Sequence, residues 1–324
     1  MAEDKVSGAM ALPPLHGSVD ALAWYCYELK LSVVWSKAVG LELQHFFSRV
    51  MSKTHGGQFC QSLAWGAEGD HSCDGYLSDS RHLFAVYAPE DFHPLSKAIK
   101  KIRGDHSGAL KKWREILDRW TLVHNLTRDQ LPAKVIKLLA EFAKKEPKVG
   151  FDHWGFENTR HAVRVLSYDD LADLLGEVPR PRDFRTLPQE DILLLIGELA
   201  PLIEQLPVDD DVRPVPAAKA EFNRLSVATI TLLNAGARFS PLVQRAFDRH
   251  PDPRLGERTV AALSKRYNEL KSQHHADDIF SELVNGMVSH RTLPNNRAYV
   301  ATLAVLAYLF EACHIFERPP VEAQ

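Results

Sequence analysis

The sequence predicts an α/β N-terminal domain followed by an all-α helical C-terminal domain. In the first half, short glycine-bounded segments of alternating hydrophobicity are mixed with segments of helical spacing, and after Asp169 only the helical spacing remains. The length of 324 residues fits two domains of about 150 residues each. We therefore divide the chain into a disordered head at 1–18, an α/β domain at 19–166 and a helical domain at 167–324.

The α/β domain is predicted to begin with a helix and to continue with strands that alternate with helices. Apolar residues recur every three or four positions over 20–51, with an interruption near Gly40. Helices are also predicted over 95–119, with a break at Gly104 and Gly108, and over 131–144. The predicted strands are 58–65, 74–77 and 82–88 in antiparallel succession, then 120–124 and 149–153.

The C-terminal domain is predicted to consist of helices alone. The predicted helices are 219–234, 241–250, 256–272, 277–287 and 295–316. The last of them contains thirteen consecutive residues, 298–310, without a charge. Because a membrane span needs about 20 such residues, we expect a buried helix and no membrane association. Any exposed part of this helix would instead form a homo-oligomer or partner interface.

Charge and cysteine content limit the classes of function. The 39 basic and 42 acidic residues leave a net charge of -3, which excludes a protein that coats nucleic acid through a general positive field. The charge is uneven, because 93–137 holds eleven basic and four acidic residues, whereas 167–211 holds three basic and twelve acidic ones. Four cysteines without a C-x-x-C pair, and an N-terminus without a secretory signal pattern, favour a cytoplasmic protein.

An acidic turn at 66–75 is the densest polar cluster of the sequence. It contains Glu68, Asp70 and Asp74 among glycines, which let the backbone turn tightly and let a ligand approach. Enzymes that hydrolyse phosphodiesters use such carboxylates to hold Mg²⁺ or Mn²⁺, and the ion activates water. Asp70 and Asp74 are therefore the candidate metal ligands, and a solvated turn in an inactive sheet is the alternative.

The order of elements around this turn resembles the PD-(D/E)xK core of restriction-endonuclease-like proteins, a mixed sheet flanked by helices. In that core one acid begins the second strand, a Glu/Gln-x-Lys tripeptide lies on the next strand, and another acid comes from the preceding helix. The catalytic positions that this resemblance implies here are Glu42, Asp70, Asp74 and Tyr87.

The tripeptide position departs from the nuclease pattern. Ala85 stands where the Glu or Gln should be and cannot bind a metal, and Tyr87 replaces the lysine. A lysine from the start of the next helix, Lys97, Lys100 or Lys101, would then have to supply the positive charge.

A zinc site is a second interpretation of the same region. Its ligands would be Cys60, His71, Cys73 and His82, but only His71 and Cys73 have the close spacing that is usual for structural zinc.

A basic segment follows the third predicted strand and could contact nucleic-acid phosphates. The predicted nucleic-acid-binding residues are Lys97, Lys100, Lys101, Lys111 and Lys112. The alternative is that these lysines form the solvated face of an amphipathic helix.

The fourth and fifth predicted strands end at His124 and His153, where open α/β folds often place ligands, although a histidine there is more often structural. The sequence has no Walker A motif, so the chain itself is not expected to be an ATPase.

Several motifs are similar to those of proteins from bacterial ABC three-component conflict systems. They are GD at 69–70, CDGY at 73–76, FAVYAP at 84–89, WTLVHN at 120–125, DDLADLLGEVP at 169–179 and AYLFEACHIFERP at 307–319. From about Asp169 the chain resembles the C-terminal domain of these systems that is numbered ten. Ala85 also departs from the glutamine that the resemblance implies at that position.

This resemblance implies a component of an antiphage or anti-plasmid defence complex that works with a separately encoded ABC- or SMC-type ATPase. Two functions remain open. The chain is either a metal-dependent DNA nuclease effector or a non-catalytic adaptor that binds nucleic acid or docks the ATPase.

Overall fold

The computed structural model describes residues 12–62, 72–89, 94–126, 130–199, 219–272, 274–288, 293–312 and 314–319. The chain divides into two compact units. One unit comprises Met1–Ser18 and Val34–Leu174, and the other comprises Val19–Val33 and Leu175–Gln324. The first helix, α1 (Ala21–Lys37), therefore contributes to both units.

A five-stranded mixed sheet forms the centre of the first unit. Its strands are β1 (Phe59–Gln61), β2 (Gly75–Leu77), β3 (His82–Tyr87), β4 (Arg119–His124) and β5 (Gly150–Trp154), in the order β1-β2-β3-β4-β5. The first three strands are antiparallel neighbours, whereas β4 lies parallel to β3 and β5 parallel to β4. The predicted α/β class and the antiparallel succession of the first three strands are confirmed.

The connections explain the two kinds of pairing. Four residues, 78–81, join β2 to β3, and so short a link allows only an antiparallel return. Between β3 and β4 the chain forms α3 (Leu95–Trp113), and between β4 and β5 it forms α4 (Ala133–Lys145). Such helical crossovers bring the next strand back in the parallel direction.

Helices cover both faces of this sheet. On one face, α3 and α4 pack on alternate residues of the strands in an apolar cluster that includes Leu83, Ile102 and Leu138. On the other face, Phe47 of α2 (Leu41–His55) lies 5.2 Å from Phe84, ring centre to ring centre. The unit is completed by α5 (Phe156–Arg164) and most of α6 (Tyr168–Leu175).

The predicted break in the basic helix is wrong, because α3 continues through both glycines. An isolated helical glycine costs only about 1 kcal/mol, and packing of the flanking apolar residues outweighs that cost. Gly108 also has a packing role, since a side chain there would overlap Ser72 Oγ. The predicted interruption near Gly40 is confirmed, because Gly40 adopts a positive φ of 53° between α1 and α2.

The second unit is helical in all its described elements. After the start of α1 these are the end of α6, a 3-10 helix (Pro181–Phe184), α7 (Gln189–Leu199), α8 (Lys219–Phe222), α9 (Val227–Ala237), α10 (Ser240–Arg249), α11 (Leu255–Lys271), α12 (Ala276–Val288) and α13 (Asn295–Glu311). The predicted helix over 219–234 is divided in two, and the Ser226 hydroxyl accepts the Thr229 N–H to begin α9.

The apolar C-terminal helix α13 is the core of the second unit, as predicted. Nearly all of its residues from Ala298 to Phe310 are buried. It crosses α9 at Gly236, where a side chain would overlap the Leu303 carbonyl oxygen. Among the described residues, we find no helix with the length and hydrophobicity that a membrane crossing requires.

Candidate functional site

Asp74 lies beside the tripeptide 85–87, at the start of β2. Its own N–H donates to the Phe84 carbonyl at 2.9 Å. The hydrogen-bond ladder between β2 and β3 ends at the pair Gly75 and Phe84. The next N–H of β3 that faces β2 belongs to Val86, and it has no partner on β2. The Asp74 carboxylate accepts this N–H at 2.6 Å and thereby extends the ladder by one bond.

The side chains of Ala85 and Tyr87 point into the apolar cluster beneath α3. They are 2% and 9% exposed, and they share the cluster with Leu83, Ile102 and Leu122. Burial raises the pKa of the Tyr87 hydroxyl, while the charge of nearby Lys101 acts in the opposite direction. The position that carries a metal-binding Glu or Gln in the resembled nucleases is therefore occupied here by the buried methyl group of Ala85.

Glu42 is exposed in the first turn of α2. Its carboxylate accepts the Val39 N–H at 3.3 Å, so it stabilises the beginning of its own helix. Asp70 lies outside the described residues, and its pairing with Asp74 stays a prediction. Within the described ranges, no three His, Cys, Asp or Glu side chains come together in a way that could hold a metal ion.

The described members of the alternative zinc site each have a different environment. Cys60 is exposed on β1, whereas Cys73 is buried and its thiol donates to the Gly75 carbonyl at 3.4 Å. The His82 ring nitrogen lies 2.7 Å from Thr121 Oγ1. His71 lies outside the described residues. The three described side chains do not form a metal-binding group.

All five predicted nucleic-acid-binding lysines are exposed on α3. Positions 97, 100, 101, 104, 108, 111 and 112 recur every three or four residues, which places them along one face of the helix. We call this the lysine face; it consists of the five lysines with Gly104 and Gly108 between them. Lys101 pairs with Asp105 at 2.6 Å, and the other four lysines form no ion pair within the described parts of the chain.

The two strand-end histidines form a partly buried pair. His124 is fully buried, and its Nε2 lies 3.3 Å from His153 Nδ1. Burial, with a smaller contribution from His153, lowers the pKa of His124 to about 4. The next residue, Asn125, donates to the carbonyls of Trp35 and Ala38 at 3.1 and 2.7 Å and so holds the end of α1. This geometry supports the structural interpretation of the strand ends.

Sequence reasoning missed His106, a buried histidine on the core side of α3. Its ring stacks on Phe142 with centres 3.7 Å apart, and it meets Trp120 edge to face at 5.9 Å. Its Nε2 is buried with no hydrogen-bond partner in the described structure. Burial lowers its pKa to about 4. The spacing Ile102, His106, Ala109 could have identified it, because these positions share the inward face.

Two buried ionic groups hold the helical unit together. Lys219 is fully buried, and its Nζ donates to the carbonyls of Phe310 and Ile315 at 2.9 and 2.6 Å. At the other end of α13, Arg297 forms a two-bond ion pair with the buried carboxylate of Asp191. These contacts anchor the two ends of the core helix to α8 and α7.

Comparison with known proteins gives one similarity, which lies within the helical unit. Residues 191–317 match C-terminal domain 10 of the ABC-three component (ABC-3C) systems. No curated protein and no solved structure matches the chain. The match supports the predicted component of an ABC-3C system that carries this domain, and such systems include partner components such as ABC ATPases.

Proposed function

We propose that this chain is a non-catalytic adaptor subunit of an ABC-ATPase-linked defence system. The observation that carries the proposal is the direction of Ala85 and Tyr87, whose side chains fill the core under α3. In this proposal the helical unit docks on the ATPase-containing complex, and the α/β unit is a nuclease-like scaffold that binds rather than cuts.

The cost of burying a charged side chain at position 85 supports this function. A carboxylate at position 85 would lie among Leu83, Ile102 and Leu122 and would lose its hydration without a compensating partner. Burial of an unpaired charge costs several kcal/mol, so the surrounding core is incompatible with the acidic residue that the nuclease pattern needs. Asp74 and Glu42 have backbone N–H groups as partners, which gives each a structural role.

The match of the family model to residues 191–317 supports a docking role for the helical unit. Three large apolar side chains on this unit, Leu194, Phe222 and Val227, are exposed and thus accessible to a protein partner.

A metal-dependent nuclease is the second candidate, and one specific contact favours it. The hydrogen bond from Val86 to Asp74 places the strand acid directly beside the tripeptide position, as in the resembled core. Lys101, close enough to Tyr87 to affect its pKa, would be the migrated lysine. The described residues do not fit a divalent cation, because they supply no cluster of three His, Cys, Asp or Glu side chains that could hold one.

The substitution Asp74→Asn separates the two functions. The amide oxygen of Asn can still accept the Val86 N–H, whereas the negative charge that a metal would need is gone. We expect phage protection by the complete operon to stay within about twofold of wild type, and purified protein to leave plasmid DNA intact with Mg²⁺ or Mn²⁺.

Asp74→Ala is the matched control, since it removes both the charge and the hydrogen-bond acceptor. If Asp74→Ala lost about 1 kcal/mol of stability and Asp74→Asn did not, the result would agree with the structural role. Loss of protection by Asp74→Asn at unchanged melting temperature would overturn the adaptor function and favour the nuclease.

A further inference from the structure

Four of the five lysines on the lysine face of α3 have no acidic partner within the described parts of the chain. The helix contains six basic residues and one acid, Asp105, which pairs with Lys101. Arg103, outside the lysine face, pairs with Glu141 of α4 at 3.0 Å. Lys101 and Arg103 thus have acidic partners, while Lys97, Lys100, Lys111 and Lys112 have none within the described parts of the chain.

The charge on this face is concentrated at its two ends. Lys97, Lys100 and Lys101 lie in the first two turns, and Lys111 and Lys112 lie in the last turn. Between them, Gly104 has no neighbouring atom within 4 Å of the position that a side chain would take, and Gly108 is covered by the neutral Ser72. Lys100 and Lys112 are about 18 Å apart along the axis at 1.5 Å per residue.

This arrangement fits a double helix better than a single strand. A single strand lying along α3 would place phosphates against the middle of the face, where its residues Gly104 and Gly108 carry no charge to compensate them. In B-DNA the two strands are separated by a major groove about 12 Å wide, and flexible lysine side chains bridge the remaining distance to phosphates on both edges.

We infer that the lysine face of α3 binds duplex DNA across a groove, with each lysine cluster on the phosphates of a different strand. The contacts are to the backbone, so binding is independent of base sequence. The inference deepens the adaptor function, because it names the nucleic acid that the α/β unit holds.

The test is fluorescence anisotropy of the full-length protein with a labelled 20-base-pair duplex at 50 to 200 mM salt. Four phosphate contacts, from the lysines without an acidic partner, predict a slope of about -3.6 for log affinity against log salt, which is a loss of roughly 150-fold over this range. The same oligonucleotide as a single strand is expected to bind at least tenfold more weakly. Polyglutamate serves as the probe for an acidic protein partner.

Two variants test the two clusters separately. Alanine at Lys111 and Lys112 is expected to reduce the slope by about 1.8, and alanine at Lys97 and Lys100 is expected to reduce it by the same amount. The matched control is alanine at Lys144 and Lys145, an adjacent pair in the last turn of α4 that is equally exposed, and its slope is expected to stay at the wild-type value.

Three results would overturn the inference. They are an absence of duplex binding at 50 mM salt, single-strand or polyglutamate binding as tight as duplex binding, and equal losses in the α4 control and the α3 variants. Each of these outcomes is distinguishable from failure of the adaptor function, which is decided by Asp74→Asn and by association with the other components of the system.

Discussion

Protonation of His106 is expected to destabilise the α/β unit in mild acid. The side chain is 6% exposed, and burial lowers its pKa to about 4 from the usual 6.5. The unfolded chain therefore takes up a proton near pH 6.5, while the folded chain resists protonation until about pH 4. The stabilisation is complete above pH 6.5 and is lost as the pH falls from 6.5 towards 4.

The size of this effect follows from the pKa difference. Each unit of difference is worth about 1.4 kcal/mol, so His106 alone accounts for roughly 2 to 3 kcal/mol between pH 7.5 and pH 4.5. The substitution His106→Phe removes the titrating group and the unpaired Nε2, and the new ring can still stack on Phe142. We expect this variant to lose roughly 2 to 3 kcal/mol less stability than wild type over the same pH interval.

Urea unfolding, followed by tryptophan fluorescence at both pH values, measures this difference, and Trp120 beside His106 reports on the core directly. His82 and His124, whose pKa values are also lowered to about 4 by burial, leave residual pH dependence in the variant. His45→Phe at an exposed position of α2 is the control. Equal pH dependence in wild type and His106→Phe would refute the reasoning, as would an equal change in the control.

Two further predictions concern the helical unit. Gly236→Ala is expected to lower stability by about 1 to 3 kcal/mol, because the added Cβ overlaps the Leu303 carbonyl oxygen. Gly286→Ala in α12 is the control: its Cβ meets no atom within 4 Å, and the substitution is expected to raise stability slightly. Thermal unfolding of the two variants measures the contrast, and equal effects would contradict the close crossing. Lys219→Met is expected to cost about 2 kcal/mol, because two carbonyls lose their donor, and hydrogen exchange of 314–319 is expected to accelerate. Unchanged exchange there would contradict the anchoring role.

The sheet was predictable because its signals are local. The segments around β3 and β4 are short, apolar and bounded by turn residues or proline, so their strand character needs no tertiary information. The break at Gly104 and Gly108 was wrongly predicted for the opposite reason. Local propensity disfavours glycine in a helix, but packing of the apolar residues on either side, such as Ile102 and Ala109 in the core cluster, outweighs that preference.

The candidate site was only partly predictable. The antiparallel succession of the second and third strands was predicted, and it brings Asp74 beside the tripeptide 85–87, where it accepts the Val86 N–H. The run HLFAVYA is apolar on both faces, so its alternation does not reveal which side chains meet α3. The structural uses of Asn125 and His106 also depend on residues distant in sequence, and only the inward spacing of His106 was available as a signal.

The two sides of α3 permit a separation of folding from binding. His106 lies on the core side, whereas the five lysines are exposed on the opposite side. Alanine at Lys111 and Lys112 should therefore change the salt dependence of DNA binding without altering the pH dependence of unfolding. His106→Phe should alter the pH dependence of unfolding and leave the salt slope at pH 7.5 unchanged, because it removes no phosphate contact. If either variant changed both measurements, the two sides of the helix would be coupled, and the lysine face could not be treated as a separate binding surface.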